Sequence, residues 1–345
     1  MATTNSTLNI EDPQQLLTYL RETGLIEADE QPAMRQLTGG VSNRTVLLER
    51  PTGEAWVLKQ ALAKLRVAVD WFSSPERIHR EAMGLRWLSQ LAPPYTIPAL
   101  VHEDYNDHLL VMDAVAQPHA NWKTLLLEGQ VDTNHIEQFG RLLGAIHRHA
   151  YERLQEVAPA FEDTSFFESL RLEPYYSYTA GQVPSAADFL YDLIEQTHQQ
   201  RLTLVHGDYS PKNILVYQGR LILLDHEVIH WGDPAFDLGF SLTHLLSKAH
   251  HLPQHRAAFA AAAGQYWQVY VQTLGNVAWS ETLEPRAARH TLACLLARVA
   301  GRSPLEYLDS TERAHQQDTV VGLMANPPVT IPNLIQQFTK RVHEH

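Results

Sequence analysis

Apolar and polar positions alternate along two short segments near the start of the chain. The segments "TVLLER" (45–50) and "AWVLKQ" (55–60) flank the polar stretch "PTGE". Turn residues between two such runs predict a β-hairpin whose second strand ends near Lys59. The apolar run "HLLVMDAV" (108–115) predicts another strand, and the polar residues after it predict a hinge near 113–122.

Helical spacing of apolar residues first appears in the segment 73–91. Ser73 or Ser74 is placed to cap this helix, and Pro75 suits its first turn. A second, longer segment with the same period covers residues 134–154. The residues that share one face of the two predicted helices are Ile78, Ala82, Leu85 and Leu88 in the first, and Ile136, Phe139, Leu142, Leu143 and Ile146 in the second.

The rest of the chain is predicted to be mostly helical, with one exception. The apolar segments "NILVY" (213–217) and "LILLD" (221–225) flank Gln218-Gly219 and predict a second hairpin. Taken together, the elements predict an α+β fold with two lobes. A strand-rich N-terminal lobe covers residues 1–112, and a larger helical lobe covers residues 113–345.

Composition and charge narrow the class of protein. The 345 residues are 44% hydrophobic and 19% charged, as in ordinary globular proteins, and the formal net charge is -12. This charge argues against nucleic-acid binding, which needs a basic surface. No apolar run approaches 18 residues and the N-terminus lacks a signal-peptide pattern, so we expect no membrane contact and a cytoplasmic location.

Cysteine and histidine usage gives no sign of a disulfide or a transition-metal site. The one cysteine, Cys294, lies in an apolar run and is predicted to be a small buried residue. A chain without an intrachain disulfide fits a reducing compartment. Histidines are densest in "KAHHLPQHR" (248–256), which has no accompanying cysteine or carboxylate spacing and is predicted to be a solvated loop.

The candidate chemistry lies in the loop "HGDYSPKN" and just after the next strand pair. Asp208 follows a buried strand, and Asn213 stands five positions later on the same loop. Asp225 and Glu227 follow the returning strand, so the hairpin should bring them back towards Asn213. Such an oxygen-rich cluster suits Mg²⁺ shared with phosphate groups. A base, metal ligands and a cation on the phosphates are the parts that phosphoryl transfer needs.

The motifs "HGDYSPKN" and "LLDHE" together resemble the catalytic core of the aminoglycoside phosphotransferase and choline kinase superfamily, which is kinase-like. The chain is most similar in appearance to the 5-methylthioribose kinase family, which has an Asp-x-Glu motif where this sequence has Asp225-His226-Glu227. The run "VLKQALAK", followed by a tryptophan-containing segment and a helix glutamate, is also similar to that family. The resemblance implies a bilobal protein-kinase-like fold.

The resemblance also implies roles for individual residues. Asp208 would orient the substrate hydroxyl or take its proton, and Asn213 would assist it. Magnesium would be bound by Asn213, Asp225 and Glu227. Residues implied to hold ATP are Lys59 with its partner Glu81, the loop residues Gly39, Gly40, Ser42 and Asn43, and the hinge residues Met112, Asp113 and Val115. His206 and Asp237 would hold the catalytic loop in place.

The acceptor is less well defined by the resemblance. Arg298 stands where methylthioribose kinases have a pair of arginines for the substrate; its neighbour here is Ala297, and Arg302 follows one turn later. The first hypothesis is therefore an ATP- and Mg²⁺-dependent kinase of a small-molecule hydroxyl, with a methylthioribose-like sugar as one candidate. The sequence does not determine the oligomeric state, and a homodimer is compatible with it.

Two other hypotheses remain open from the sequence. One is a kinase of a cationic alcohol such as choline, ethanolamine or an aminoglycoside, for which the stretch 162–176 supplies acids and aromatics. The other is a pseudokinase used as an interaction module, although none of the catalytic groups is missing. The side chains that favour a cationic acceptor are Glu162, Asp163, Glu168, Glu173, Phe166, Phe167, Tyr175 and Tyr176.

Overall fold

A five-stranded antiparallel sheet forms the N-terminal lobe of the computed structural model, which describes residues 8–37, 42–66 and 72–343. The strand order is β1-β2-β3-β5-β4. One helix precedes the sheet and a second is inserted between its third and fourth strands. The elements are α1 (Pro13–Glu22), β1 (Ala33–Gln36), β2 (Asn43–Glu49), β3 (Ala55–Ala61), α2 (Arg77–Leu91), β4 (Leu100–Asp104) and β5 (Leu109–Asp113).

The two faces of this sheet are covered by different helices because successive side chains of a strand point to opposite faces. Leu58 and Val111 pack with α1 on one face, while Leu110 and Met112 pack against α2 on the other. In the sheet register Lys59 lies opposite Thr45 on β2 and Leu110 on β5. Alternation along β3 therefore directs Lys59 towards the α2 side of the sheet.

The C-terminal lobe is mainly helical, with two small antiparallel sheets of order β6-β8-β9 and β10-β7. A π-helical segment, Glu168–Ser177, joins α6 to α7. The elements are β6 (His119–Asn121), α3 (Trp122–Leu127), α4 (Thr133–Glu152), α5 (Leu154–Ala160), α6 (Ser165–Phe167), α7 (Tyr178–Gln182), α8 (Ala187–Gln199), β7 (Thr203–Val205), β8 (Ile214–Tyr217), β9 (Arg220–Leu223), β10 (His230–Gly232), α9 (Pro234–His251), α10 (Arg256–Leu274), α11 (Leu283–Ala300), α12 (Ser310–Met324) and α13 (Ile331–Arg341).

Helix α9 is the central element of this lobe, since 17 of its 18 residues are buried. It packs against α10 and α11, and Asp233 caps its N-terminus by accepting a hydrogen bond from the Ala235 backbone N–H. The predicted burial of Cys294 on α11 is confirmed; its thiol lies 3.3 Å from the Tyr176 hydroxyl. Within the described ranges, no helix combines the length and apolarity that a membrane span requires.

The sequence predictions of the two hairpins and the first strands agree with the structure, but the helix boundaries need correction. Helix α2 begins at Arg77 rather than Ser73, and its N-cap residue Glu76 makes no side-chain capping bond. The first helix, α1, was not predicted. Its signals were present, because Asp12 caps it and Pro13 occupies its first position.

The prediction of a solvated loop at 248–256 was wrong in its first half. Residues 248–251 form the last turn of α9, and the Lys248 side chain is fully buried. Its ammonium group donates a hydrogen bond to the His244 backbone carbonyl and lies 5.3 Å from the centre of the Tyr307 ring. The many polar residues of this stretch indicated a loop, but its first half is a helix end that is covered by α12 and the loop before it.

Candidate active site

The loop 206–213 connects β7 to β8 and is held by Asp237 from the first turn of α9. The buried Asp237 carboxylate accepts hydrogen bonds from the backbone N–H groups of His206 (2.7 Å) and Gly207 (2.8 Å). Gly207 has a φ of 77°, and a Cβ there would lie 2.9 Å from the Val228 side chain. The anchoring contact expected of Asp237 is therefore present, and only glycine fits this position without strain.

Asp208 is oriented by an amide and a guanidinium group. Asn213 Nδ2 donates to Asp208 Oδ2 at 2.7 Å and to the Asp208 backbone carbonyl at 3.0 Å. Arg171 Nη2 lies 2.9 Å from the same Oδ2. Burial alone would lower the pKa of Arg171, but the Asp208 carboxylate raises it above its ordinary value. The Asp208 carboxylate is thus fixed in direction and charge-compensated.

Arg171 was missed by the sequence reasoning. It lies in the π-helical segment, and its Nε also donates to the Gly207 backbone carbonyl at 2.8 Å. The available signal was a lone arginine among apolar and aromatic residues, "FFESLRLEPYY", because a buried arginine needs a carboxylate or carbonyl partner. The sequence alone does not identify that partner.

Lys59 connects the N-terminal lobe to the catalytic loop region. Its Nζ lies 2.6 Å from Glu81 Oε1 on α2 and 3.3 Å from Asp225 Oδ1 after β9. Burial would lower the pKa of Lys59, but the two carboxylates raise it, so the ammonium form is favoured. Burial would raise the pKa of Asp225, but Lys59 and Lys212 lower it. The predicted contact of Lys59 with Glu81 is present.

Glu227 is held by a second buried ion pair that was not predicted. Its Oε2 accepts a hydrogen bond from Arg77 Nε at 3.2 Å. Burial raises the pKa of Glu227, as does the nearby Asp225 carboxylate. Arg77 also donates to the backbone carbonyl of Ser42, so it joins the start of β2 to the segment after β9.

A cleft of about 470 Å³ lies between the sheet and the helical lobe, on the Lys59 side. The predicted hinge residues Met112, Asp113 and Val115 line one side of it, and Lys59 lies at its inner end. Asn43 is buried as the first residue of β2, and Ser42 lines the neighbouring cavity. The predicted loop residues Gly39 and Gly40 fall outside the described part of the chain. The apolar residues of the cleft are Leu37, Leu47, Val57, Leu215 and Leu224.

A smaller cavity of about 150 Å³ begins at Asp208 and Asp225 and extends into the helical lobe. Arg298, on the last turn of α11, lies in its wall, together with Tyr175 and Arg171. Arg298 Nη1 donates to the Tyr175 hydroxyl at 3.0 Å. The cleft and the cavity adjoin where Lys59, which lines the cleft, lies 3.3 Å from Asp225, which lines the cavity.

None of the four acids that the sequence offered for a cationic acceptor lines this cavity. Asp163 and Glu162 are exposed, and Asp163 pairs with Arg80 at 2.9 Å. Glu173 is exposed and pairs with Arg302 at 2.8 Å. Glu168 pairs with His198 at 2.9 Å. Of the aromatic side chains in the same stretch, only Tyr175 is part of the cavity wall.

The arrangement of oxygens fits a hard divalent cation. Asn213 uses its amide nitrogen for Asp208, which leaves its carbonyl oxygen as a ligand. Asp225 offers a carboxylate whose pKa is lowered, and its backbone has a φ of 68°, a conformation that non-glycine residues rarely adopt. Carboxylate and amide oxygens are the ligands that Mg²⁺ and Ca²⁺ take. Strained backbone of this kind is concentrated at functional sites.

Comparison with known protein families gives a match over most of the chain. A family model described as the phosphotransferase enzyme family matches residues 33–279. Among curated proteins, a methylthioribose kinase of Pectobacterium carotovorum is 23% identical over 330 residues, covering 84% of this chain and 81% of the relative. A methylthioribose kinase of Yersinia pseudotuberculosis is 24% identical over 288 residues, covering 74% and 70%.

Solved structures with the same architecture are more distant in sequence. Amicoumacin kinase hAmiN, in complex with AMP-PNP, Ca²⁺ and Ami, has a TM-score of 0.57 at 16% identity, covering 92% of this chain and 95% of that chain. The Plasmodium vivax ethanolamine kinase has a TM-score of 0.55 at 12% identity, covering 94% and 91%. These similarities confirm the predicted kinase-like bilobal fold.

Proposed function

The chain belongs to the phosphotransferase enzyme family and phosphorylates a small molecule, and we propose that the phosphate donor is ATP. The γ-phosphoryl group is transferred to a hydroxyl of the acceptor, with Mg²⁺, at the junction of the two cavities. One observation carries this proposal. Lys59 on β3, Asp208 and Asn213 on the loop 206–213, and Asp225 after β9 come from three separate segments and converge where the hinge-side cleft adjoins the cavity that contains Arg298. Phosphoryl transfer requires this combination of a cation, metal ligands and a hydroxyl-orienting carboxylate.

The nucleotide is assigned to the hinge-side cleft. Its apolar walls suit an adenine ring, and the backbone of residues 112–115 supplies hydrogen-bonding groups at its edge. Lys59 binds the α- and β-phosphates, while Glu81 holds the ammonium group in position. Ser42 and Asn43 stand where the strand β2 begins, and with Gly39 and Gly40 they are proposed to contribute backbone N–H groups over the phosphates.

Magnesium is assigned to Asn213 and Asp225, with Glu227 as a further ligand. When bound, the metal ion would supply positive charge to offset the negative charge that develops on the phosphates during transfer. The chain contributes the placement of these ligands. Asp208, which is itself held by Arg171, fixes the position of Asn213, and the ion pair with Arg77 fixes Glu227.

Asp208 is the residue assigned to the acceptor hydroxyl. Its Oδ2 is occupied by Asn213 and Arg171, so Oδ1 is the oxygen available to accept a hydrogen bond from the hydroxyl. Asp208 orients that hydroxyl towards the phosphoryl group and takes its proton as the new O–P bond forms. The leaving group is ADP, whose phosphates remain in contact with Lys59. Positioning is the main catalytic contribution expected in such a reaction.

Two considerations favour a small acceptor over the other candidates. The acceptor cavity of about 150 Å³ is below the range of about 300–1,000 Å³ typical for drug-sized ligands, which argues against an aminoglycoside. The acids Glu162, Asp163 and Glu173 are exposed and do not line the cavity, which argues against a cationic alcohol. The curated relatives support a methylthioribose-like sugar as the first candidate. The lobes 1–112 and 113–345 remain the proposed nucleotide and acceptor domains.

The test is ADP release with Mg-ATP across a panel of small hydroxyl compounds. The panel contains methylthioribose, other pentoses, choline, ethanolamine, homoserine and an aminoglycoside. Asp208→Asn should abolish turnover while ATP binding persists, because Asp208 acts on the acceptor and not on the nucleotide. Removal of Mg²⁺ with a chelator should also stop turnover. Loss of ATP binding in Asp208→Asn would contradict the assigned role, and no nucleotide binding by the wild type would refute the proposal.

A further inference from the structure

The wall of the acceptor cavity contains a buried guanidinium group with no acidic partner among the residues that the structure describes. Arg298 is 9% exposed, and no carboxylate of the described chain lies within 4.0 Å of it. Its Nη1 donates only to neutral oxygens, those of the Tyr175 hydroxyl and of the Ser303 hydroxyl and backbone carbonyl. Its Nε is buried and has no hydrogen-bond partner. Buried charges in proteins are normally paired.

The other arginines of the site differ from Arg298 in this respect. Arg171 is paired with Asp208 and Arg77 with Glu227. Among the arginines of the site, Arg298 is thus the one that pairs with no carboxylate of the described residues. An arginine of this kind is a ready site for an oxyanion, since its planar fork of donors can bind two oxygens of a carboxylate or a phosphate.

The surroundings add to the positive charge. Lys212 lines the same cavity, and Lys248 is buried beneath it near His244. Burial, followed by the charges of Lys123 and Arg298, lowers the pKa of Lys248 to about 7. Burial also lowers the pKa of His244, which stays neutral in the wall. The balancing acid in this region is Glu306, which pairs with Lys123.

From this geometry we infer that the acceptor carries an oxyanion, a carboxylate or a phosphate, in addition to the hydroxyl that is phosphorylated. Arg298 binds the oxyanion at one end of the cavity while Asp208 binds the hydroxyl at the other. The inference rests on the proposed function and restricts its acceptor. It replaces the neutral methylthioribose-like sugar, the first candidate above, with a small hydroxy acid or a sugar phosphate, and it also excludes the cationic alcohols. The cavity of about 150 Å³ limits the acceptor to a small compound.

The first experiment compares matched acceptors with the wild-type protein. Each hydroxy acid is paired with its neutral polyol: glycerate with glycerol, erythronate with erythritol, and ribonate with ribitol. A phosphate arm pairs glycerol 3-phosphate with glycerol and ribose 5-phosphate with ribose. The anionic member should have a kcat/KM about 10- to 100-fold higher, the range expected for hydrogen bonds to a charged group. The arm with the higher value identifies the oxyanion. Equal or better turnover of the neutral members, or of choline, would overturn the inference.

The second experiment measures the oxyanion site without relying on the right acceptor. Acetate and inorganic phosphate are titrated by calorimetry into the protein saturated with Mg²⁺ and a non-hydrolysable ATP analogue. We expect one of them to bind, and the binding to be lost in Arg298→Gln and retained in part in Arg298→Lys. Absence of binding by both probes overturns the inference. A probe that binds the nucleotide-free protein but not the protein saturated with the analogue also overturns it, because the cations then serve the triphosphate.

A matched control is provided by Arg302, one turn further along the chain. Arg302 is partly exposed, pairs with Glu173 and does not line the cavity. Arg302→Gln should leave probe binding and acceptor kinetics unchanged, and thermal melting verifies that each variant folds. Failure of the proposed function has a different signature, because it removes nucleotide binding and ADP release with every acceptor. Nucleotide turnover with a neutral acceptor alone would refute only the inference about the oxyanion.

Discussion

Lys59→Met tests whether removing the lysine of the ion pair at the lobe junction costs more stability than removing the charge of its partner, Glu81. Glu81 is fully buried; its Oε1 contacts Lys59 at 2.6 Å, and its Oε2 has no hydrogen-bond partner. Without Lys59, Glu81 becomes a buried carboxylate with no compensation. Lys59, in contrast, keeps Asp225 at 3.3 Å if Glu81 is replaced.

The expected magnitudes follow from this difference. Breaking a buried pair by removing the partner that compensates a buried charge costs about 3–5 kcal/mol, and we expect Lys59→Met to fall in this range. Glu81→Gln keeps an amide oxygen near Lys59 and leaves Asp225 as counter-charge, so we expect about 1–2 kcal/mol. The assay is urea unfolding of the nucleotide-free protein. Glu195→Gln, at an exposed position of α8, is the control and should change stability by less than about 0.5 kcal/mol.

The cost of Lys59→Met should also depend on pH. Burial raises the pKa of Glu81 above its ordinary value, and Lys59 opposes that rise. A carboxyl with a higher pKa in the folded state takes up a proton on folding, so its contribution to stability declines as pH rises from the unfolded pKa to the folded one. Removing Lys59 raises the folded pKa further. The penalty should therefore be small near about pH 5 and grow towards about pH 8.

Two results would refute this reasoning. One is an equal cost for Lys59→Met and Glu81→Gln, and the other is a Lys59→Met cost that does not change with pH. Kinetics give a second, independent readout. Lys59→Met should raise the KM for ATP, because Lys59 is assigned to the phosphates. Unchanged ATP kinetics would remove Lys59 from the nucleotide site.

Two further predictions concern the helical lobe. Gly239→Ala should lower the free energy of unfolding by at least about 2 kcal/mol, because the added Cβ would lie 2.5 Å from His290 Cβ. Gly264→Ala on α10 is the control; its Cβ would have nothing within 4 Å, so this change should be neutral or stabilising. Equal effects of the two substitutions in urea unfolding would contradict the close packing of α9 on α11. The pKa of Lys248 is lowered from 10.5 to about 7, so its charged form is penalised in the folded protein below that pH and the penalty fades as pH rises towards 10.5. Lys248→Met should therefore stabilise the protein by up to about 5 kcal/mol near pH 6 and by much less near pH 10, and a pH-independent effect on the melting temperature would argue that Lys248 is not buried as a cation.

The local elements and the catalytic loop were predictable because their signals are local. The hairpin around residues 50–54, the strand at 109–113 and the motif "HGDYSPKN" follow from apolar runs, turn residues and short spacings that lie within a few residues of one another. The separation of Lys59 and Glu81 was also interpretable, since a strand and the next helix pack on each other. The predicted start of α2 was wrong because capping depends on a side-chain geometry that the amino-acid sequence does not determine.

What the tertiary structure decided is which distant side chains meet and which charges are buried. Arg171 reaches Asp208 and Arg77 reaches Glu227 only because the π-helical segment and α2 pack against the segments that carry the two carboxylates. The acids of the stretch 162–173 looked suited to a cationic ligand, yet none of them lines the cavity; Asp163 and Glu173 pair with arginines and Glu168 pairs with His198. The direction of a side chain depends on how its element packs against the rest of the fold. Composition therefore indicated the chemistry, and packing determined the charge of the acceptor cavity.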